Sequence, residues 1–371
     1  MDGLEIVLGA NMIGAIVRSL DTLLGRGEAA ATVPPLDGAL RPNRRLDEAK
    51  RLSLPGVDCL AVVRGQLFAS AGNGVFRLEE EKSWRLAAEY RAEVACIAAV
   101  GDGLAVALAN GDIVIDGGRF HRFECRVAKD IACITAMAAS DEALYVANGS
   151  ATNSATDWQR DLLERNASGS VWRIDLNSGR GMRIADGLAW PAGLAIDASR
   201  VVCSEAWKHR LIRIDTFGQA SPETLLADLP GYPGRLSPGG GNWWLAVFAP
   251  RNQLVEFVLR EPTYRKRMMA EVEKPFWVAP KLRAGRSFYE PLQGGGVKHL
   301  GILKPWAPTM SAGLCVRLDT GFQPRLSLHS RADGKTHGVT SVAEYNGHVF
   351  AAARGDDVVA VVSLDELGDN Q

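Results

Sequence analysis

The chain has 371 residues, 47% of them hydrophobic, and its 42 basic and 43 acidic residues leave a formal charge of -1. A chain of this size can bury a large core without disulfides or a structural metal. So balanced a charge supplies no long-range field for nucleic acid or an anionic membrane, and no basic stripe with interleaved aromatics stands out, so neither partner is expected.

The first segment, "IVLGANMIGAIV" from Ile6, is apolar. It is too short to span a bilayer, contains Asn11 and follows Asp2 and Glu5, where a signal peptide carries positive charge. An amphipathic helix is expected there, continuing through "RSLDTLLG" to about Gly25 and packing on the body or a partner, with a Gly- and Pro-rich linker to residue 35. With no export signal and six cysteines that lack close CxxC spacing, a cytoplasmic location with reduced thiols is expected.

From residue 36 one phrase recurs: an apolar run, a turn, a second apolar run ending in small residues, another turn and a third run. It reads "GVDCLAVVRGQLFASAGNGVFRL" from Gly56, "EVACIAAVGDGLAVALANGDIVI" from Glu93 and "DIACITAMAASDEALYVANGS" from Asp130. It returns as "WPAGLAIDASRVVCSEAWKHRLIRI" from Trp190, "YPGRLSPGGGNWWLAVFAPRNQLVEFVL" from Tyr232 and "HGVTSVAEYNGHVFAAARGDDVVAVVSL" from His337. Repetition at roughly 40 to 50 residues with several short strands per unit is the pattern of a β-propeller, so an all-β, six-bladed propeller over residues 36–371 is expected. Cys59, Cys96 and Cys133, spaced 37 residues apart, hold the same place in three copies and are expected as small buried hydrophobes flanking the central channel. The segment from Arg260 to Met310 fits a cap-like insertion in the connection from blade five to blade six, opening with a helix that places Tyr264, Met268, Met269 and Val272 at near-helical spacing.

The words from Leu144, "LYVANGSATNSATDWQRDLLERNASGSVWRIDLNSG", then "ADGLAWPAGLAIDASRVVCSEAWKHRLIRI" and "LADLPGYPGRLSPGGGNWWLAVFAPRN", resemble the strictosidine synthase-like family. The closing "GLCVRLDTGFQPRLSLHSRADGKTHGVTSVAEYNGHVF" is similar to the same family's last blade. The resemblance covers residues 36–367 and implies a six-bladed propeller with its ligand site at one mouth of the central channel, under loops and helical insertions. It does not choose a chemistry. Strictosidine synthases condense an amine with an aldehyde, whereas related gluconolactonases and paraoxonases hydrolyse lactones or esters with a calcium-type metal in the channel.

The residues matching the metal ligands have lost their oxygens. An asparagine is implied where Trp190, Pro191, Ala192 and Gly193 stand, and an aspartate or asparagine where Gly231, Tyr232, Pro233, Gly234 and Arg235 stand. Asp58 could replace the first-blade acid and Asn148 lies near a position that is often acidic, but two oxygens do not make a calcium cage, so no cofactor is expected. The glutamate implied for the condensation falls at Thr340, which argues against a Pictet–Spengler-type lyase. No GxSxG elbow, HExxH helix or P-loop occurs.

A metal-free pair remains, His337 as general base and Arg235 holding an oxyanion or a carboxylate, with Asp58 beside them. Trp190, Thr340, Glu205 and Asn148 are the candidate substrate-binding residues; Glu205 also fits a structural carboxylate bonded to backbone amides or an arginine, and His209 a surface turn. The reading taken forward is a small-molecule hydrolase of lactone or ester type. The alternative is a non-catalytic ligand-binding or scaffold propeller, and the oligomeric state is open.

Overall fold

The computed structural model describes residues 33–80, 82–126, 131, 133–287, 289–291 and 309–368. The segment from Ile6 to Gly25, expected as a leading helix, lies outside the described residues. Within them the strands form six four-stranded antiparallel sheets, five built from consecutive strands. The sixth takes its outer strand from the opposite end of the propeller: Lys50–Ser53 pairs with Val358–Ser363, Lys50 facing Val361. The inner strands, Val57–Val63, Val94–Val100, Ile134–Ala139, Pro191–Asp197, Gly231–Gly239 and Val339–Tyr345, each touch the next, and the sixth touches the first. The six-bladed propeller expected from the repeats is present. Each innermost strand is the edge of its own sheet, and the ring of neighbouring blades protects that short edge.

Burial explains why the strands read as apolar runs. The second strands of blades two and three, Gly103–Leu108 and Ala143–Asn148, are buried at every position because a neighbouring blade covers each face. The outermost strand of blade one, Ser83–Glu89, is exposed or half-buried throughout and carries the polar residues.

Three local readings differ from expectation. "LVEFVL" is not a third strand but part of a helix, Gln253–Arg260, whose N-cap Asn252 accepts from Leu254 N at 2.8 Å and which buries Val255 and Val258 three residues apart on one face. A second helix, Pro262–Glu271, follows with Pro at its first turn. This insertion opens inside blade five, because Asn242–Pro250 pairs directly with Gly313–Leu318, so the strands on either side of it share one sheet. The 37-residue cysteine spacing is not a structural equivalence either. Cys59 and Cys96 each stand two places after the first paired residue of their inner strands, whereas Cys133 stands one place before Ile134, the first paired residue of its strand.

A feature hidden from sequence repeats around the ring. Near its start each inner strand has a stretch with one residue more than its partner strand, a β-bulge: between Val57 and Leu60, Val94 and Cys96, Ile134 and Ala136, Pro191 and Gly193, Pro233 and Leu236, and Val339 and Ser341; in blade five an opposite shift between Tyr232 and Pro233 precedes it. A bulge lifts residues out of the ladder and re-aims their backbone. The bulged segments contain Asp58, Ala95, Thr135, Ala192, Arg235 and Thr340, and all six line one cavity at the channel mouth.

The closing strand is held by a short clip. Leu46, in the one-turn helix Arg45–Glu48, is fully buried among blade-five and blade-six side chains, and Thr336 Oγ1 donates to its carbonyl at 2.9 Å. Asn43 Nδ2 donates to Ser327 O at 2.8 Å, tying the same segment to the outer strand of blade five. Leu46→Ala should lower stability by about 2–5 kcal/mol in equilibrium urea unfolding; a loss below about 0.5 kcal/mol would show that the clip contributes nothing to closure.

Candidate functional site

Arg235 reaches across the channel, and its guanidinium uses all five N–H donors. Nε donates to Thr135 O at 3.1 Å; Nη1 donates to Asp58 O at 3.1 Å and Thr340 O at 3.4 Å; Nη2 donates to Asp58 Oδ2 at 2.8 Å and Ala95 O at 3.0 Å. Four of these acceptors are main-chain carbonyls of bulge residues from blades one, two, three and six. An arginine of blade five therefore satisfies oxygens that the bulges turn away from their own ladders. Neighbouring hydroxyls extend the ring: Thr340 Oγ1 donates to Asp58 O at 2.7 Å, Thr135 Oγ1 to Pro191 O at 2.5 Å, and Ser204 Oγ to Gly234 O at 2.7 Å.

Asp58 is the charge partner. Its Oδ2 meets Arg235 and its Oδ1 lies 3.3 Å from Arg354 Nη1. Burial alone would raise the pKa of this carboxyl, but the two guanidiniums outweigh it and hold the value at about 2 against an ordinary 3.8. Burial also works against the charge on Arg235, and the attraction of Asp58 more than offsets it, so its pKa is pushed up. Both groups are thus charged throughout the physiological range.

The cavity has a volume of about 390 Å³. Asp58, Arg235, Thr135, Thr340 and Arg354 form its polar floor, and Trp158, Trp190, Phe248 and Leu282 its apolar wall. Trp190 has a left-handed backbone, φ 58°, a region that bulky residues rarely enter. Glu205, fully buried, holds that turn: Oε1 accepts from Ala189 N at 2.8 Å and meets Lys208, while Oε2 accepts from Arg210 at 2.6 Å. Glu205 therefore does not face the cavity; it fixes the residue next to Trp190, and its arginine comes from its own blade. Trp190 stacks on Trp207 at 5.1 Å, and Trp207 stacks on Trp158 at 6.3 Å. The buried Asp161 accepts from Trp207 Nε1 at 2.7 Å and locks the middle ring.

The cap forms the rest of the wall. The helix Trp158–Glu164 and the two insertion helices share a core containing Leu163, Val255, Val258, Met268 and Trp277. From there the chain crosses to blade six, where Leu282 packs against Gly338 and Gly355. A Cβ on Gly355 would lie 2.2 Å from Leu282 O, and Gly338 has φ +67°, so only glycine seats this crossing without displacement.

Other sequence candidates lie away from this cavity. The buried His337 ring accepts from or donates to Ser311 Oγ through Nδ1 at 2.9 Å and meets Arg331 O through Nε2 at 2.7 Å. A carbonyl only accepts, so Nε2 carries the proton and Nδ1 receives the Ser311 hydroxyl. Burial lowers its pKa to about 4, and Arg283 adds to that effect. His337 thus anchors the cap crossing, and its ring nitrogens are engaged there instead of with Arg235. Asn148 Oδ1 accepts from Cys133 N at 3.1 Å and Nδ2 donates to Ser150 O at 3.0 Å, which shapes a loop beside a different cavity. His209 is buried, with Nδ1 3.1 Å from Gly231 O and Nε2 3.5 Å from Glu256, not a surface turn. Burial pushes the thiols of Cys59 and Cys96 up, and neither lines the cavity.

The calcium-type cation implied by the resemblance does not fit these residues. A fixed guanidinium already occupies the oxygen cage, and Ala192 and Gly234 bring no side-chain oxygen to it. Among the described residues no group of three or more His, Cys, Asp or Glu could hold a metal, and no helix is long and apolar enough to cross a membrane. Arg354 was not singled out from sequence; its only signal was a basic residue closing the second strand of the last repeat.

No family matches the chain, and no curated protein matches it. Solved structures do. A candidate gluconolactonase is 9% identical with a TM-score of 0.50, over 86% of this chain and 91% of that one. A luciferin-regenerating enzyme is 13% identical with a TM-score of 0.48, over 84% and 93%. A chain of a nidogen/laminin complex is 14% identical with a TM-score of 0.41, over 52% and 72%. At 9% identity the likeness to the first of these is one of fold alone.

Two outcomes test the axial cluster. Arg235→Lys should destabilise by about 3 kcal/mol or more in urea unfolding, since an ammonium has three donors for five acceptor contacts and leaves buried carbonyls unpaired; a variant as stable as wild type would remove the guanidinium from its assigned role. The depressed Asp58 pKa contributes stability above its unfolded value of 3.8 that is lost as pH falls towards 2. Wild type should therefore lose about 2 kcal/mol across that window from this group, a slope that Asp58→Asn should lack when both are titrated in parallel.

Proposed function

We propose that the protein binds a small molecule at the channel mouth, one with a flat apolar body and an oxygen-bearing head of the kind found in lactones, esters and the hydroxy acids derived from them. The observation that carries this reading is the cavity's division into an aromatic wall and a charged floor, which is how pockets fix the orientation of a mainly apolar ligand. The strained backbone of Trp190, over-determined by Glu205, supports it, because such strain gathers where a side chain must be presented.

Lactone or ester hydrolysis is the second reading. The resemblance to the strictosidine synthase-like family favours it, and the guanidinium of Arg354 at the cavity is suited to hold a carbonyl oxygen as charge develops on it. Binding without turnover stands first because the floor lacks a working base. Asp58 is held ionised with a pKa of about 2, and the donors of Arg235 are all in use. Condensation of an amine with an aldehyde finds no support, since Thr340 supplies a hydroxyl already donated to Asp58 O.

A thermal-shift screen of lactones, aryl esters and hydroxy acids should find compounds that raise the Tm of wild type in a saturable manner and act at least tenfold more weakly on Trp190→Ala. Hydrolysis of the same compounds should not exceed that of buffer, before or after treatment with EDTA. Turnover lost in Arg354→Gln would move hydrolysis to first place. No stabilising compound in any class would remove the pocket.

A further inference from the structure

The floor of the cavity holds one buried carboxylate between two guanidiniums. Asp58 Oδ2 is taken by Arg235 at 2.8 Å and Oδ1 by Arg354 at 3.3 Å. The three groups together carry one positive charge, and the surplus is not shared equally. Arg235 is enclosed, with every donor bonded inside the ring. Arg354 is 46% exposed, lines the cavity and approaches Asp58 through Nη1 alone; no other side-chain partner of Arg354 occurs among the described residues. Its main chain is fixed independently by donation from its N to Gly338 O at 3.0 Å, at the head of the last inner strand.

We propose that Arg354 is a carboxylate receptor, so that the ligand of the channel-mouth pocket is an organic acid whose apolar body lies against Trp190 and Trp158. This rests on reading the cavity as a ligand pocket and names the class of ligand. A guanidinium with an unused edge presents two parallel N–H donors, which match the two oxygens of a carboxylate. Asp58 acts as a positioning residue: it is held by Arg235 and tethers one side of the fork, leaving the other side for the incoming acid. The open hydroxy-acid form of a lactone belongs to this class and the closed form does not. Glu93 is the other carboxylate of the lining, but it is exposed at the start of blade two, where solvent screens its charge.

Three probes of one shape test the assignment: 3-phenylpropanoate, 3-phenylpropanamide and 3-phenylpropylamine, with Kd measured by calorimetry at low and moderate salt on the full chain. Wild type should bind the acid about 10- to 100-fold more tightly than the amide, the range expected for hydrogen bonds to a charged group. Arg354→Gln should abolish that preference while keeping amide affinity, and Arg354→Lys should retain part of it. The amide reading controls for folding, because a misfolded variant would lose both ligands. Equal binding of acid and amide by wild type, tighter binding of the amine, or an acid preference that survives in Arg354→Gln would each overturn the carboxylate assignment and leave the pocket standing. Binding of none of the three, with no stabilising compound in the wider screen, would remove the pocket and the assignment together.

Discussion

The main constraint on this propeller is the set of main-chain oxygens left over at its axis. Six inner strands each bulge near the channel mouth, and a bulge turns backbone groups away from the ladder that would satisfy them. A buried carbonyl without a partner costs free energy comparable to a lost hydrogen bond. Water, a metal ion or a side chain has to answer that demand, and here the five donors of Arg235 answer most of it. The same guanidinium links blade five to blades one, two, three and six, so ring closure and axial satisfaction are one problem with one solution. A buried cation must in turn be neutralised, which is why Asp58 stands within 2.8 Å of it and stays ionised.

The site follows from that arrangement. Because Asp58 has two oxygens and Arg235 takes one, the other is free to receive Arg354 from the start of blade six's second turn. The chain thereby places one half-exposed guanidinium over a fixed, buried anion. Beside it, Trp158 and Trp190, held by stacking on Trp207 between them, and the cap crossing at Leu282 form the apolar wall of the cavity. Elements from distant parts of the sequence thus converge on one cavity without any of them being a catalytic motif.

The fold was legible because blades are covered on both faces: each apolar run with small residues reports a strand wedged between neighbours, and six such phrases report six blades. The position of Arg235 was also legible, as a charged residue after "GYPG" where the resemblance implied a cation, the lost oxygen being that of the residue at Gly234. What it bonds to was not, because its acceptors are mainly backbone carbonyls, which every residue carries and no sequence distinguishes. The pairing of Arg235 with His337 failed for a similar reason: the sequence places His337 near the head of the last blade, but not the Ser311 hydroxyl and the Arg331 carbonyl that take both ring nitrogens. Cys133 shows the limit of counting, since its 37-residue spacing hides an offset from Cys59 and Cys96 that only the strand register reveals. Helix Gln253–Arg260 was misread because six apolar-rich residues fit a strand as well as a buried helical face, and the cap residue Asn252 decides between them.

Choosing arginine for the axis has a consequence beyond stability. A metal ion in an oxygen cage keeps coordination positions that a substrate or a water can enter, and that openness is the basis of metal-assisted hydrolysis. A guanidinium whose five donors are all spent has no such position, so it can hold the ring together but cannot polarise a ligand. On the proposed function, recognition falls to the next charged group outward, Arg354, which the fixed Asp58 carboxylate positions. The two guanidiniums thus differ in role: Arg235 is spent on closing the ring, and Arg354 is left half-exposed at the mouth.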